Sequence, residues 1–392
     1  MNRFVITELE GRTVTAGYEN GRLMALIPEE NDGEGKIGEI FVGRVQNVLK
    51  NINAAFVEYL PGKIGYLSFR EAHGRPMRNG ACFPVQIAKE AVKTKDPVLT
   101  CELSFPGRYC VVTVGDGEIG VSHRIRSDAE RNRLKEIAGT LLDGEYGAII
   151  RTAAEAVPEE ELTEELRNLR MVAEETVRKA GMRTPFTRLR EGDPEYIRQL
   201  RDTASFLEEV VTDLPEVRDR ITEHFRQEAP DELGKLRFYD DPMIPLVKLR
   251  GLEKELDGAL RSLVWMKSGA NLVIERTEAL TVIDVNTGKF ITGKKMRDAV
   301  RKINLEAAEE AARQMSLRNL TGMILIDFIN MKEKEDTEEV LSCLRNAVQK
   351  DHVRTVVVDM TALGLVEVTR QKQRRPIAEV FRRAKCAVAP QE

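Results

Sequence analysis

The hydrophobic positions change their spacing several times along the chain, and each spacing predicts a different kind of element. Between residues 36 and 106 short apolar runs alternate with Gly, Pro and Asn, as in "EIFVGRVQNVL", "AAFVEYL" and "IGYLSF". Such runs are typical of antiparallel strands. About five of them within roughly 70 residues is the size of a small closed barrel such as the OB-fold. Residues 1–35 also predict short strands, "RFVITELEG" and "RLMALIPEE".

After residue 106 helical spacing appears beside the strand-like runs. Residues 107–192 alternate the strand-like runs "RYCVVTV" and "YGAIIRTAA" with the helical patterns "SDAERNRLKEIAGTLL" and "PEEELTEELRNLRMVAEETVRKAG". From Leu272 onward the predicted order is strand, helix, strand, helix, strand, strand. A strand–helix–strand unit normally makes its two strands parallel neighbours through a right-handed crossover. The fold class predicted for the whole chain is therefore a multidomain α+β protein that ends in an α/β region.

Two apolar runs of the α/β region, "LTVIDVNTG" and "GMILIDFINM", are broken by Asp284 and Asp327. Asp284 and Asn286 are two residues apart on a predicted strand, so their side chains share a face. Ligand sites of open α/β sheets lie at the carboxyl ends of strands, and carboxylate and amide oxygens suit hard cations such as Mg²⁺ or Mn²⁺. The pattern leaves two interpretations open. It indicates either a metal site, or one aspartate that caps the next helix and another that pairs with a lysine.

The segment between these two strands favours a competing function. Residues 288–295, "GKFITGKK", nearly match the phosphate-binding loop of nucleotide triphosphatases, with Lys294 reaching the phosphates and Asp327 as a second metal carboxylate. The match fails at Lys295, because magnesium coordination by this loop requires a Ser or Thr hydroxyl there. A P-loop-type nucleotide triphosphatase is therefore the less favoured alternative.

Composition and charge narrow the class of protein further. Of 392 residues, 42% are hydrophobic and 32% charged, and no apolar run approaches the roughly 18 residues needed to span a bilayer. The N-terminal segment lacks the features of a signal peptide, so we expect a cytoplasmic protein with no membrane partner. With a net charge of −4, the chain would bind nucleic acid only through local patches. The five cysteines contain no Cys-x-x-Cys pair, which argues against a disulfide framework.

The sequence from "TEALTVIDVNTGKF" through "NLEAAEEAARQMSLRNLTGMILIDFINM" to "GLVEVTRQKQ" closely resembles the catalytic region of the ribonuclease E/G family. The resemblance implies an RNase H-like subdomain interrupted by an S-one-type OB-fold RNA-binding barrel and a 5′-sensor region, with a DNase I-like α/β catalytic subdomain after them. The implied boundaries are residues 1–35 and 193–262 for the two RNase H-like parts, 36–106 for the barrel, 107–192 for the sensor region and 263–392 for the catalytic subdomain with its basic C-terminal segment.

The resemblance also assigns roles by position. Asp284 and Asp327 would bind the metal, and Asn286 would orient the attacking water or the scissile phosphate. The RNA-binding residues that it implies are Phe56, Tyr66 and Lys95. The residues that it implies for a 5′-monophosphate pocket are Gly107, Val111, Arg151 and Thr152. The pattern alone favours a core position for Phe56 and a solvated strand end for Arg151.

The activity implied by the resemblance is that of a Mg²⁺-dependent endoribonuclease, with Mn²⁺ as a substitute, that cuts single-stranded RNA to 5′-phosphate and 3′-hydroxyl ends. A 5′-monophosphate would stimulate cleavage, and mRNA or rRNA precursors would be substrates in RNA processing and decay. The alternative from a different class is a non-catalytic RNA-binding protein that keeps the barrel.

The chain departs from the family near residue 386. Family members follow the basic segment "RQKQRRPIAEVFRRAK" with a Cys-Pro-x-Cys link through which two chains share zinc, whereas here Cys386 stands alone in "CAVAPQE". Zinc is therefore not expected, and any homodimer would be held by protein contacts. The basic segment predicts either a region that follows RNA phosphates or a solvated helix.

Overall fold

The structure of the chain is a computed structural model, and it describes residues 1–29, 35–89, 96–203, 206–287 and 296–381. The chain divides into two compact units. Unit one comprises Met1–Glu29, Glu208–Arg218 and Arg237–Glu392, and unit two comprises Glu30–Leu207 and Asp219–Leu236.

The described strands are β1 (Arg3–Leu9), β2 (Arg12–Glu19), β3 (Arg22–Pro28), β4 (Ile40–Leu49), β5 (Ala54–Leu60), β6 (Lys63–Ser68), β7 (Cys82–Lys89), β8 (Val98–Thr100), β9 (Leu103–Pro106), β10 (Cys110–Val114), β11 (Ile119–Val121), β12 (Tyr146–Ile150), β13 (Arg188–Arg190), β14 (Glu209–Thr212), β15 (Leu236–Phe238), β16 (Leu263–Trp265), β17 (Asn271–Arg276), β18 (Leu280–Asn286), β19 (Gly322–Asp327), β20 (Thr355–Met360) and β21 (Leu365–Arg370). The described α-helices are α1 (Asp128–Leu141), α2 (Glu159–Ala180), α3 (Glu195–Thr203), α4 (Pro215–Glu228), α5 (Leu246–Leu249), α6 (Leu252–Leu260), α7 (Met296–Leu317) and α8 (Lys334–Val348).

One sheet, carried mainly by unit one, has the strand order β15-β14-β1-β2-β3. Strands β1 to β3 form an antiparallel meander, and β14 pairs with β1 in parallel. The strands predicted near the N-terminus correspond to β1 and β3, with β2 between them. The core beneath this sheet also takes apolar side chains from late in the chain, because Ile377 and Phe381 are buried with Leu252 of α6.

The second sheet of unit one has six strands in the order β16-β17-β18-β19-β21-β20. β18, α7 and β19 form the predicted strand–helix–strand unit, and their two strands are parallel neighbours, which confirms that prediction. The remaining neighbours are antiparallel. Helices α7 and α8 pack on one face of the sheet around Ile283, Ile324 and Ile326, which are fully buried.

The predicted barrel is present in unit two. Strands β4, β5, β6, β8 and β7 follow one another in that order, and the pairing of β4 with β7 closes the sheet into an OB-like five-stranded barrel. Its interior is filled by buried side chains such as Phe41, Val57, Leu67 and Val85. Strand β9 follows β8 within a few residues but leaves the barrel and pairs with β10.

The other sheet of unit two has the order β11-β12-β10-β9 and is packed against α1 and α2. Helix α1 begins after Ser127, whose hydroxyl accepts the Glu130 backbone N–H at 3.3 Å and so satisfies one of the free donors of the first turn. Helix α2 carries three glutamates in its first turn, where negative charge suits the helix dipole. Among the described helices, none is both long and apolar enough to cross a membrane.

Candidate functional site

The two aspartates singled out by the sequence lie opposite each other on adjacent strands. Asp284 of β18 and Asp327 of β19 are register partners at the carboxyl ends of two parallel strands, so their Cα atoms are about 5 Å apart. Their strands alternate between buried and more exposed positions. Ile283 and Ile326 face α7 and α8, whereas Asp284 is half-buried and Asp327 is exposed on the opposite face.

The two aspartates lie on an accessible face of their strands. A carboxylate at the end of a fully buried strand would be costly unless it were paired, solvated or bound to a metal. The observed alternation shows that only one face is covered by the helices of the described chain, so both carboxylates reach solvent.

Asn286 completes the group of three. It lies two residues beyond Asp284 on the same face of β18, and its Nδ2 donates a hydrogen bond of 2.8 Å to Asp284 Oδ2. This bond restricts the Asp284 carboxylate and leaves the Asn286 side chain exposed at the strand end. The three predicted catalytic residues are thus brought together by β18 and β19 alone.

The donor set of this strand end suits magnesium. Within the described residues no group of three or more His, Cys, Asp or Glu side chains is arranged to hold a metal, so a cage built wholly from such ligands is absent there. Mg²⁺ does not require one, because it is commonly bound by one or two carboxylates together with water and substrate phosphate oxygens. Asp284 and Asp327 supply that number of carboxylates.

A buried asparagine that the sequence analysis missed supports the same site. Asn304 of α7 is fully buried, and its side chain makes two hydrogen bonds with the backbone of Ile329, Nδ2 to the carbonyl at 2.8 Å and Oδ1 from the N–H at 3.1 Å. Ile329 follows Asp327 by two residues, so these bonds fix the turn that leaves β19. The sequence feature that could have indicated this role is a polar asparagine among the buried apolar positions of α7.

The barrel places the predicted stacking residues together on its outside. Phe56 of β5 and Tyr66 of β6 are register partners, both half-buried, with ring centroids 6.3 Å apart and planes at 75°. Phe56 is outside the barrel core, in contrast to Phe41, which is 2% exposed. The core position that the pattern alone favoured for Phe56 is therefore wrong. Lys95 and residues 288–295 lie outside the described residues.

The four predicted 5′-phosphate residues lie in or next to β10 and β12, which are neighbouring strands of unit two. Val111 of β10 is the register partner of Ile149, two residues before Arg151, and the Arg151 N–H donates to the Tyr109 carbonyl at 2.8 Å. The Arg151 guanidinium is paired with Asp202. The Thr152 hydroxyl is 3.0 Å from that of Ser122. Arg151 and Thr152 thus follow the end of β12 next to β10, with Arg151 already engaged by a carboxylate.

The Glu165 carboxylate fills the loop before β10, a contact that the sequence pattern did not indicate. Glu165 of α2 accepts three backbone N–H groups, those of Arg108 at 3.0 Å, Tyr109 at 2.8 Å and Cys110 at 2.9 Å. A Cβ added to Gly107 would lie 2.6 Å from Glu165 Oε1, so the glycine permits this close approach. Burial, with the adjacent Glu165 charge, raises the pKa of the Cys110 thiol. Successive backbone N–H groups of this kind can bind anions, and here the protein's own Glu165 side chain occupies that position.

The described part of the basic segment contributes side chains to the core. Arg370 is 3% exposed and donates to Asp351 at 2.7 Å and to Asn319 at 2.8 Å, so its charge is already matched. Ile377 and Phe381 are buried. Cys386 and the basic residues after Phe381 lie outside the described residues.

Comparison with known proteins identifies similar chains. A family model described as the ribonuclease E/G family matches residues 104–373. Ribonuclease G of Escherichia coli (strain K12) is 34% identical over 391 residues, which cover 94% of this chain and 79% of that protein. Ribonuclease G of Haemophilus influenzae is 32% identical, with the same coverage. Ribonuclease E of Nostoc sp. (strain PCC 7120) is 34% identical over 95% of this chain and 56% of its own length.

Proposed function

The chain belongs to the ribonuclease E/G family, and from this premise we propose that it is an endoribonuclease that hydrolyses single-stranded RNA with the help of Mg²⁺, or Mn²⁺ in its place. The proposed products carry 5′-phosphate and 3′-hydroxyl ends. We further propose that a 5′-monophosphate on the RNA stimulates cleavage, and that the protein acts on mRNA or rRNA precursors in RNA processing and decay in the cytoplasm.

The observation that carries the proposal is the register of Asp284 and Asp327. Two carboxylates at the ends of adjacent parallel strands, with Asn286 hydrogen-bonded to one of them, form a compact set of oxygen ligands on an accessible face. A divalent ion bound there would supply a more acidic water and would offset the charge that develops on the phosphodiester. The alternative interpretation, a helix cap and a lysine pair, receives no support from these contacts in the described chain.

The residues of this chain have separable tasks in the proposal. Asp284 and Asp327 hold the cation, and Asn286 restrains Asp284 while its exposed amide orients the attacking water or the scissile phosphate. Asn304 acts as a positioning residue, because it anchors the backbone just after Asp327. Preorganised ligands of this kind need little rearrangement when the substrate arrives.

The barrel supplies a second part of the function, single-strand binding. Phe56 and Tyr66 present two neighbouring half-exposed rings on the outer surface of β5 and β6. Aromatic side chains in such positions stack on bases without sequence preference, and we propose this role for both, with Lys95 contacting a phosphate as the family resemblance implies.

The third part is recognition of the RNA 5′ end. A terminal monophosphate carries close to two negative charges, whereas an internal phosphodiester carries one. We propose that Arg151 and the hydroxyl of Thr152 bind this end, beside Gly107 and Val111. Because Asp202 is paired with Arg151 in the free protein, the phosphate must displace that carboxylate, and a dianion does so better than a monoanion.

The finer architecture is also a proposal. The sheet β15-β14-β1-β2-β3 would correspond to the RNase H-like subdomain, and the six-stranded sheet with α7 and α8 to the DNase I-like one. We propose that a homodimer, if it forms, is held by protein contacts.

The experiment that tests the proposed function is a cleavage assay on a single-stranded RNA that carries a 5′-monophosphate, with Mg²⁺ and with EDTA. We expect cleavage only with Mg²⁺, and products that a 5′-phosphate-dependent exonuclease can degrade. RNA binding without cleavage in Mg²⁺ would favour the non-catalytic RNA-binding protein. ATP hydrolysis without RNA would favour the nucleotide triphosphatase.

A further inference from the structure

A cavity of about 230 Å³ in unit two contains an unusual number of arginines. Its walls come from β13, α3 and the residue that follows β12, and they carry Arg190, Arg198, Arg201 and Arg151. Like charges so close together repel unless each guanidinium has its own partner. The pairing of each arginine therefore shows whether the cavity is only structural.

Three of the four guanidiniums have carboxylate partners. Arg201 is 4% exposed and is matched twice, by Asp193 at 2.8 Å and by Glu228 at 2.9 and 3.1 Å. The partner of Arg198 is Glu195 at 3.2 Å, and that of Arg151 is Asp202.

The neutral polar groups of the cavity wall also have hydrogen-bond partners within the protein. The Gln86 amide donates to the carbonyls of Gly38 and Ser104, both at 3.0 Å. Its Oε1 accepts the Ser104 backbone N–H at 2.8 Å. This side of the cavity therefore offers little unsatisfied hydrogen-bonding capacity to a ligand.

Arg190 is the exception. Its guanidinium lies over the Phe105 ring, 5.1 Å from the centroid, and its Nη1 is buried without a hydrogen-bond partner. Within the described residues no carboxylate lies within ion-pair distance of it. Burial lowers the pKa of the Arg190 guanidinium, the nearby charges of Asp193 and Glu228 raise it, and that of Arg201 lowers it. Both carboxylates are already bonded to Arg201. Arg190 as a whole is half-buried, but a buried donor without a partner is costly, so a ligand that supplies an anionic acceptor for Nη1 would be stabilised here.

We propose that this cavity binds a phosphoryl anion, held by the Arg190 guanidinium with Arg151 at its rim. A planar guanidinium matches the oxygens of phosphate in a two-bond geometry, and its donors have no competing partner here. The volume is several times the roughly 30 Å³ share of one water, enough for a hydrated phosphate group. The inference deepens the proposed recognition of the RNA 5′ end, on which it rests in part because Arg151 is common to both sites.

The first test measures inorganic phosphate binding to the full chain by calorimetry, at constant ionic strength in a buffer free of phosphate and sulfate. Arg190→Met should weaken binding about ten-fold or more, the loss expected for one charge-assisted pair. Arg188→Gln is the matched control, because Arg188 lies on the same strand but outside the cavity, paired with Glu39 and Glu191. Equal affinities of wild type and Arg190→Met would overturn the proposal.

Thermal unfolding separates a binding role from a structural one. If Arg190 serves a ligand, Arg190→Met should melt at or above the wild-type temperature without phosphate, because it removes a buried donor that has no partner while keeping similar bulk. Phosphate should then raise the melting temperature of the wild type but not of the variant. The site would be refuted if Arg190→Met melted below the wild type without phosphate and phosphate did not raise the melting temperature of the wild type. Arg190 would then have only a structural role, stacking on Phe105.

Two 2′-O-methyl oligonucleotides, which resist cleavage, identify the source of the phosphoryl group. If the terminal phosphate is bound, only the oligonucleotide with a 5′-monophosphate should lose affinity on Arg190→Met, whereas an equal loss by the 5′-hydroxyl form indicates an internal phosphodiester. Unchanged affinity for both contradicts the proposal. These measurements do not depend on cleavage. They can therefore refute phosphate binding in this cavity while 5′-stimulated cleavage is observed, or support phosphate binding while it is not.

Discussion

Replacement of Phe56 by alanine tests whether the barrel surface binds RNA, because its effects on affinity and on stability should differ in size. Phe56 is half-buried and meets Tyr66 edge to face at 6.3 Å, so the lost ring pair should cost stability about 0.5–1.5 kcal/mol. Loss of one stacked base should weaken single-strand binding by about 1–3 kcal/mol, which is roughly 5- to 150-fold in Kd.

The control for this substitution is Phe41→Ala in the same barrel. Phe41 is 2% exposed and packs against Tyr59 with ring centroids 5.4 Å apart, so its truncation should cost about 3–5 kcal/mol of stability. The assays are urea unfolding and fluorescence anisotropy with a 2′-O-methyl RNA. An unchanged Kd for Phe56→Ala, or a stability loss as large as that of Phe41→Ala, would refute the stacking role.

Three further predictions concern other parts of the chain. Arg151→Gln should reduce the ratio of cleavage rates on 5′-monophosphorylated and 5′-hydroxyl RNA about ten-fold; an equal loss on both substrates would contradict a sensor role. Burial raises the pKa of Glu228, but hydrogen bonds from His224 and Arg201 outweigh it and lower that pKa to about 2. The resulting stabilisation, on the order of 2 kcal/mol for this partly exposed side chain, is complete above about pH 4.5 and is lost as the pH falls towards 2, so acid titration of Glu228→Gln should show a shallower stability loss than wild type. Metal analysis of residues 1–392 should find no stoichiometric zinc, because these residues contain no Cys-Pro-x-Cys link, and about one zinc per two chains would contradict this prediction.

The sequence predicted most of the strand end that carries Asp284, Asn286 and Asp327. Alternation along "TVIDVN" put Asp284 and Asn286 on one face, and the strand–helix–strand rule made β19 the parallel neighbour of β18, which is how Asp327 reaches Asp284. Both signals are local or follow from chain connectivity. Periodicity did not show which face the helices cover, because that depends on packing between elements far apart in sequence.

The contacts missed by sequence reasoning are long-range. Glu165 fills the backbone loop at Arg108 across more than fifty residues, and nothing in the acidic pattern of α2 distinguishes it from its solvated neighbours. In the sequence Arg190 cannot be distinguished from the many surface arginines, because its contact with Phe105 depends on the position of β13 in the fold. The sequence also did not indicate that Phe381 is buried, because the charge pattern of its segment predicted either a region that follows RNA phosphates or a solvated helix.

The central claim is that Asp284 and Asp327 hold a catalytic divalent ion, and the most direct measurement compares RNA cleavage by wild type and Asp327→Asn across a Mg²⁺ titration. Asparagine keeps the shape of the side chain and removes the charge, so cleavage should fall more than about 100-fold at millimolar Mg²⁺. Unfolding free energy and single-strand affinity should stay near wild type, because Asp327 is exposed at the end of its strand. Near-normal turnover by Asp327→Asn, or cleavage by the wild type in EDTA, would contradict the claim.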